Sequence, residues 1–538
     1  MRKYNLGVKT ALAVFAVALS ACSSDNDIVE NNSNNQEQPV TNQTMTFRAS
    51  MDGVTTRTDF NSNSTIWATK DKISILNTAD VNEQHPEEGV FNIDAPANGS
   101  TYGKEETFSG TKIKANGNNN DQFYAFYPAD ADNFTNTNGT VKMTATIPTV
   151  QKAIAGTYDQ SLHFMSAYST NSTFAFKNVC ALLKITITDN TQISRIKVVA
   201  NPKLSSMQAQ QFTYTSIVGE FDATIGTNGI ASVTPNEDEK TFVELRADGE
   251  GGSITKIIPN GTYYMVVLPA QLDNGFTLLI ERANGTIYQR VNTKLTSFER
   301  NNIYDLGTYN VSGAITNFTP LSYEYAVDLD LPSGTIWCTK NLAADGTFVT
   351  DESTIGDYFS WGKTSFTGAS TYGSVPTLND NTLQSSDDPA YVGKKGGAYN
   401  NNAHRYCMPI YAQIYELFNK IHSVSSNTGS GNKGARFTSA AGNTMWLPYG
   451  GHYYSSVISI ANLGSASNLG SQGDYWSRTY YGRRTASDGA YCLDILGNGT
   501  PSVNQHSGFD FAQPWIDNVI AGRTIRAVAV NEKIAPLK

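Results

Sequence analysis

Asp328–Ala343 reads DLDLPSGTIWCTKNLA and Gly356–Thr364 reads GDYFSWGKT, and the residue pattern differs on the two sides of this stretch. Upstream, short segments alternate apolar and polar residues and are rich in Thr, Asn and Val, the spacing of a chain built from short strands. Downstream, Gly, Tyr, Trp and Ser dominate. The 538 residues are too many for one hydrophobic core, and at roughly 150 residues per domain they predict three or four units. The change of pattern supports three.

Only 16% of residues are charged and the net charge is −9, so nothing draws a polyanion and a nucleic-acid partner is excluded. At the N-terminus Arg2, Lys3 and Lys9 precede an apolar run, Ala11–Leu19, too short to span a bilayer, which is the pattern of an export signal. The run ends in Leu19-Ser20-Ala21-Cys22, which resembles the bacterial lipoprotein box. That resemblance implies acylation of Cys22, loss of residues 1–22 as a signal peptide apart from that cysteine, and anchorage in the outer membrane through the lipid (palmitate). Residues 23–44 offer hardly an apolar side chain to bury and are expected to form a disordered tether. Asp25 and Asp27 resemble the surface-export signal of Bacteroidetes lipoproteins. No other segment has the ~18 consecutive apolar residues of a membrane span.

Met45, Phe47, Ala49 and Met51 alternate strictly with polar residues, predicting a half-buried strand. Asp52-Gly53 is a turn signal, and Arg57 follows in a polar context open to proteolysis. The next segments, WATKDKISIL, QFYAFYP, IPTVQ, FAFKNVCALLKITI (Phe174–Ile187), VVLPAQL (Val266–Leu272) and NNIYDLGTYNV, resemble the fimbrillins, the transthyretin-like pilins of Bacteroidetes type V pili. The resemblance implies two β-sandwich domains, set here at 45–172 and 173–312. It also implies an Arg-specific cut after the first strand, assigned to Arg57 because Arg48 lies inside the strand, and partnership with other fimbrillin subunits by donor-strand exchange.

In residues 313–538 the opening stretch is followed by YCMPIYAQIYELF, MWLPYGGHYY, DYWSRTYYG and GRTIRAVAV. In this order they resemble the Fibrobacter-type major paralogous domain, whose fold is shared by C-type lectins and formylglycine-generating enzymes. Ile410, Ile414, Leu417, Phe418 and Ile421 form one face of a helix, to be packed on strands at Ile336-Trp337, Met445–Leu447, Ala490–Ile495 and Thr524–Val530. The predicted fold class is thus mainly β, with two transthyretin-like sandwiches and an α+β C-type-lectin-like head. The calcium and sugar motifs of true C-type lectins are missing: Gln513-Pro514-Trp515-Ile516-Asp517 lacks the paired carboxylates. No cysteine sits in the motif that the oxygenase chemistry needs. The resemblance therefore implies fold and not catalysis.

The six histidines never pair at metal-ligand spacing, and no GxSxG, HExxH or phosphate loop occurs. Asp474 and Asp494 have no visible partner for glycosidase chemistry. No catalytic residue, cofactor or bound catalytic metal is expected; calcium stays open. Cys180 is expected as a buried free thiol, and Cys338, Cys407 and Cys492 allow at most one bridge. Aromatic residues on predicted loops stand out, because flat rings with polar tips suit contact surfaces. Trp337, Trp361, Trp446 and Trp476 are expected in the core, and Tyr480, Tyr481, Arg483 and Trp515, on loops between Trp476 and Gly522, as the ligand face. The expected function is a surface-exposed lipoprotein and pilus (fimbrium) subunit acting in cell adhesion: a non-enzymatic tip adhesin whose head grips an unknown glycan or protein. The alternatives are a free-standing polysaccharide-binding lipoprotein and, with less behind it, an enzyme acting on glycans or sulfatases.

Overall fold

The computed structural model describes residues 43–51, 66–80, 84–96, 100–117, 120–129, 134–188, 192–205, 211–249, 256–292, 294–363, 378–379, 382–392, 405–453, 466, 468–484, 487–496 and 523–532. The fold is mainly β, as the alternation predicts.

Seven strands close into a barrel in the order Thr44–Met51, Thr173–Asn178, Met165–Ser169, Phe123–Tyr127, Lys72–Asn77, Glu88–Ile93 and Glu105–Thr111. Its interior is aromatic: Phe47, Trp67, Phe91, Phe108, Phe123, Phe174 and Phe176 form one buried cluster, in which edge-to-face contacts such as Trp67 on Phe108, 4.8 Å between ring centroids, add to the area buried.

A boundary at Thr173 does not follow the strands. The strand that begins there closes the first barrel and buries Phe174 and Phe176 in its interior. Conversely, Phe134–Thr137 and Thr140–Ile147 pair onward to Gly219–Ile225 and Ala231–Pro235, and Val150–Lys152 pairs with Phe242–Arg246. The loop at Tyr168–Asn171 is a hairpin within one sheet, not a linker.

The second core lies between a three-stranded sheet centred on Ala181–Ile187 and a six-stranded sheet with Ile193–Ala200 near its middle. On that strand Ile196 and Val198 face this core. Arg195 and Lys197 alternate with them and are buried too, because the C-terminal region covers the outer face of the sheet. Val199, Leu279 and Ile287 share one apolar cluster with Ala326, Ile336, Cys338 and Trp361. Gly334 belongs to that contact: its φ is +69° and a Cβ would lie 3.0 Å from Val199, so the turn needs a residue without one. Around it, Arg195 reaches Glu281 at 2.7 Å, Asp328 at 3.0 Å and Asp330 at 3.0 Å. Lys197 reaches Asp328 and Asp330, each at 2.9 Å. Both carboxylates belong to DLDLP.

The C-terminal region is α+β. Ala326–Asp328, Ile336–Asn341, Arg526–Ala529 and Tyr406–Cys407 form a central sheet with cores on both faces. The helix Tyr411–Lys420 buries Ile414, Leu417 and Phe418, with Ile410 and Ile421 flanking it on the same face; the Ile410 N–H donates to Gln413 Oε1 at 3.0 Å, satisfying a donor at the helix start. Glu416 on this helix accepts hydrogen bonds from the Ser333 N–H at 2.7 Å and from Tyr214 of the second unit at 2.9 Å.

Candidate functional site

The strand Thr44–Met51 occupies a slot of the barrel. It runs antiparallel to Glu105–Thr111, Thr44 facing Thr111 and Ser50 facing Glu105, and parallel to Thr173–Asn178 from Arg48 to Met51. From Arg48 to Ser50 both of its backbone edges are therefore paired. Phe47 and Ala49 are fully buried. The Phe47 ring meets Phe91, Phe123 and Phe174 with centroids 5.0 to 5.3 Å away, and the Ala49 carbonyl accepts from Trp67 Nε1 at 3.2 Å. The outward side chains hold on weakly: Arg48 pairs with Glu105 at 2.7 Å while both stay largely exposed, a pair worth about 0–1 kcal/mol. The Arg48 N–H is tied to the Ser172 carbonyl at 2.8 Å, as expected of a residue inside a strand. Removing the strand would bare a phenylalanine-lined groove and two rows of unpaired backbone groups, a template for another strand.

Of the other sequence-predicted residues, Cys22, Arg57 and Trp515 lie outside the described residues. Tyr480, Tyr481 and Arg483 all lie on Gln472–Arg484, which pairs with Ser487–Leu496 in a long hairpin. The stretch read from sequence as loops is strand here, because Gly, Tyr and Arg residues hide the alternation and two register shifts near Tyr480 break it. The Tyr480 ring is half-buried, 5.9 Å from the Trp361 ring. Tyr449 is a core residue, and the four tryptophans expected in the core are there. Cys180, Cys338, Cys407 and Cys492 are all free thiols.

The hairpin also assembles a cluster that the sequence hides. Asp474 faces Asp494 across the two strands, and Arg523 Nη1 donates to both, at 2.9 and 2.7 Å. His452 Nδ1 lies 3.0 Å from Asp474 Oδ2, and Gln472 donates to its Oδ1 at 2.7 Å. Burial pushes Asp474 up, but Arg523 and His452 overrule it and hold the carboxyl down at about 2. Burial dominates at Asp494, which the neighbouring Asp474 charge helps lift to about 7. Both carboxyls accept from the same guanidinium nitrogen, Arg523 Nη1, which ties them into one ion-paired cluster. This arrangement fixes the hairpin to the segment at Arg523. Spacing along the chain could not reveal it, since only the strand register brings the three residues together.

No family model and no curated protein matches the chain. Among solved structures, it is similar to a candidate cell adhesion protein from Bacteroides ovatus at 14% identity, over 52% of this chain and 95% of that one, with a TM-score of 0.31. A second candidate cell adhesion protein, from Bacteroides uniformis, is 16% identical over 52% and 99% of the two chains, TM-score 0.30. The C-terminally truncated tip fimbrial protein from Porphyromonas gingivalis is 8% identical over 52% and 100%, TM-score 0.23.

Proposed function

We propose that this chain is a fimbrillin-like surface subunit that assembles by strand exchange and carries an adhesive, C-type-lectin-like head. The observation that carries the reading is the seat of Thr44–Met51. It is an interior strand, held on its inner face by Phe47 and Ala49, and Arg57 follows it six residues later. An Arg-specific cut there would free the strand and, with it, the link to a lipid on Cys22. The body would then be ready to receive a donor strand.

The subunit accepts and does not donate, which puts it at the tip. The strand Ile303–Tyr309 leads through buried Val311, Ile315 and Phe318 into Thr319–Leu321, the last sandwich strand, at an edge of the six-stranded sheet. That path leaves no free C-terminal strand at the end of the sandwich. The locked Asp474–Arg523–Asp494 cluster supports a head that binds and does not catalyse.

The test is expression of the wild type, Cys22→Ser and Arg57→Ala in a pilus-bearing host, with acyl labelling and mass spectrometry of sheared pili. The reading expects labelling lost in Cys22→Ser, and uncut, pilus-free protein in Arg57→Ala. A wild type that is never cut and stays in the membrane fraction makes the chain a free-standing lipoprotein.

A further inference from the structure

A cleft of about 710 Å³ opens where the second unit meets the head. Its size is that of small-molecule sites, which form preferentially where two domains meet. One wall is the exposed turn Glu237–Lys240 with Phe242 behind it; the other is Pro332, Lys420 at the end of the head helix, and Ala440.

Deeper in the junction the charges are paired and dry, but at the cleft they are paired and wet. Lys240 lies 3.4 Å from Glu237 with both side chains about half exposed. Lys420 of the head pairs with Glu239 of the second unit, joining the two walls. The lining carries Glu237, Asp238, Glu239, Glu244 and Asp330 against Lys240, Arg246 and Lys420, so an anionic ligand is repelled. A ligand that donates and accepts hydrogen bonds without net charge meets partners of both kinds. Asp330 lies at the floor of the cleft with its side chain nine-tenths buried, its Oδ1 held by Arg195 and Lys197. Phe242, half-buried on the lining, supplies a flat apolar surface. Hydroxyl groups on a ring with apolar faces match this set. The buried network below fixes the two walls in advance, which lowers the ordering cost of binding.

We propose that this cleft binds a short, uncharged oligosaccharide. The proposal rests on the adhesive reading above and deepens it, since it moves a ligand site from the head's hairpin to the junction between head and body.

The test uses the whole chain with a panel of neutral di- and trisaccharides and their uronic-acid-containing counterparts, followed by calorimetry and NMR. Ala440→Trp, at an exposed turn position, fills the cleft; a Glu239→Ala/Lys420→Ala double variant unties its walls should the tryptophan disturb folding. Saturable binding of a neutral saccharide, weakened at least tenfold by Ala440→Trp and at least fivefold by the double variant at unchanged melting temperature, is the expected result. Equal binding by wild type and folded variants overturns the cleft and leaves the adhesive reading intact. Binding of uronates alone overturns the assignment to a neutral ligand. No binding of any panel member at millimolar concentration overturns the proposal, whereas the adhesive reading fails separately, if pilus-bound subunit does not attach to host cells or to glycan-coated surfaces.

Discussion

Lys197 Nζ lies 2.9 Å from Asp328 Oδ2, and neither side chain has any exposure to solvent. The strand bearing Lys197 belongs to the sandwich and Asp328 to the head motif, so the pair joins the two regions at their centre. Desolvation offsets most of what such a pair gains by attraction, but removing one member strands the other charge in a dry interior.

Asp328→Ala is accordingly expected to destabilise the protein by about 3–5 kcal/mol, seen as a lower denaturation midpoint and faster proteolysis in the segment between Asn310 and Asp328. An effect below about 1 kcal/mol would mean that Asp330 and water take over the role of Asp328.

Phe47→Ala is expected to cost about 3–5 kcal/mol, since it empties the centre of the barrel. Arg48→Ala, which removes only the exposed pair with Glu105, should change stability by about 0–1 kcal/mol. Chemical denaturation of both variants checks the contrast; similar losses would remove the inner face as the main hold on the strand.

Stability should fall as pH rises from about 4.5 to about 7. Burial raises the Glu416 carboxyl to about 7, against the hydrogen bonds from Ser333 and Tyr214, while in the unfolded chain it titrates near 4.5. Between these values the folded protein keeps a proton that the unfolded chain has released. Stability therefore decreases across this window, and the loss is complete above pH 7. Asp494, raised to about 7, acts in the same sense. Glu416→Gln should make the slope of unfolding free energy between pH 5 and 7 shallower by about one proton; an unchanged slope refutes the assignment.

The legible parts of the fold were those that a single segment can specify. Phe47 and Ala49 declared an inner face by alternation, and Ile410, Ile414, Leu417, Phe418 and Ile421 declared a helix by their spacing. What the sequence concealed depends on which element covers which. Arg195 and Lys197 occupy the outward positions of their strand, where charge ordinarily means water, and only the arrival of Asp328 and Asp330 makes that face an interior. Asp474, Asp494 and Arg523 are likewise separated by 20 to 49 positions in the chain, and only strand register unites them. Tyr480 looked like a loop aromatic because neither its glycine and arginine neighbours nor a bulged strand keeps a period of two.

Tyr480→Ala separates packing from ligand contact. With its ring against Trp361, Tyr480 should contribute about 1–3 kcal/mol to stability, read as a lower melting temperature. If the variant melts as the wild type does and loses only ligand binding, Tyr480 is a contact residue and its seat against Trp361 carries little.

The two neighbours of Thr44–Met51 point in opposite directions, because the strand is parallel to one and antiparallel to the other. Any replacement between them, whichever end enters first, also finds one parallel and one antiparallel partner. The backbone of the slot therefore discriminates only weakly between the two polarities, through the unequal lengths of its two ladders, and side chains add to the choice: a ring deep enough to take the place of Phe47 and a residue as small as Ala49 two positions away. A strand laid in the slot in the reverse direction would keep a ladder on each side, with the longer pairing, to Glu105–Thr111, changed from antiparallel to parallel.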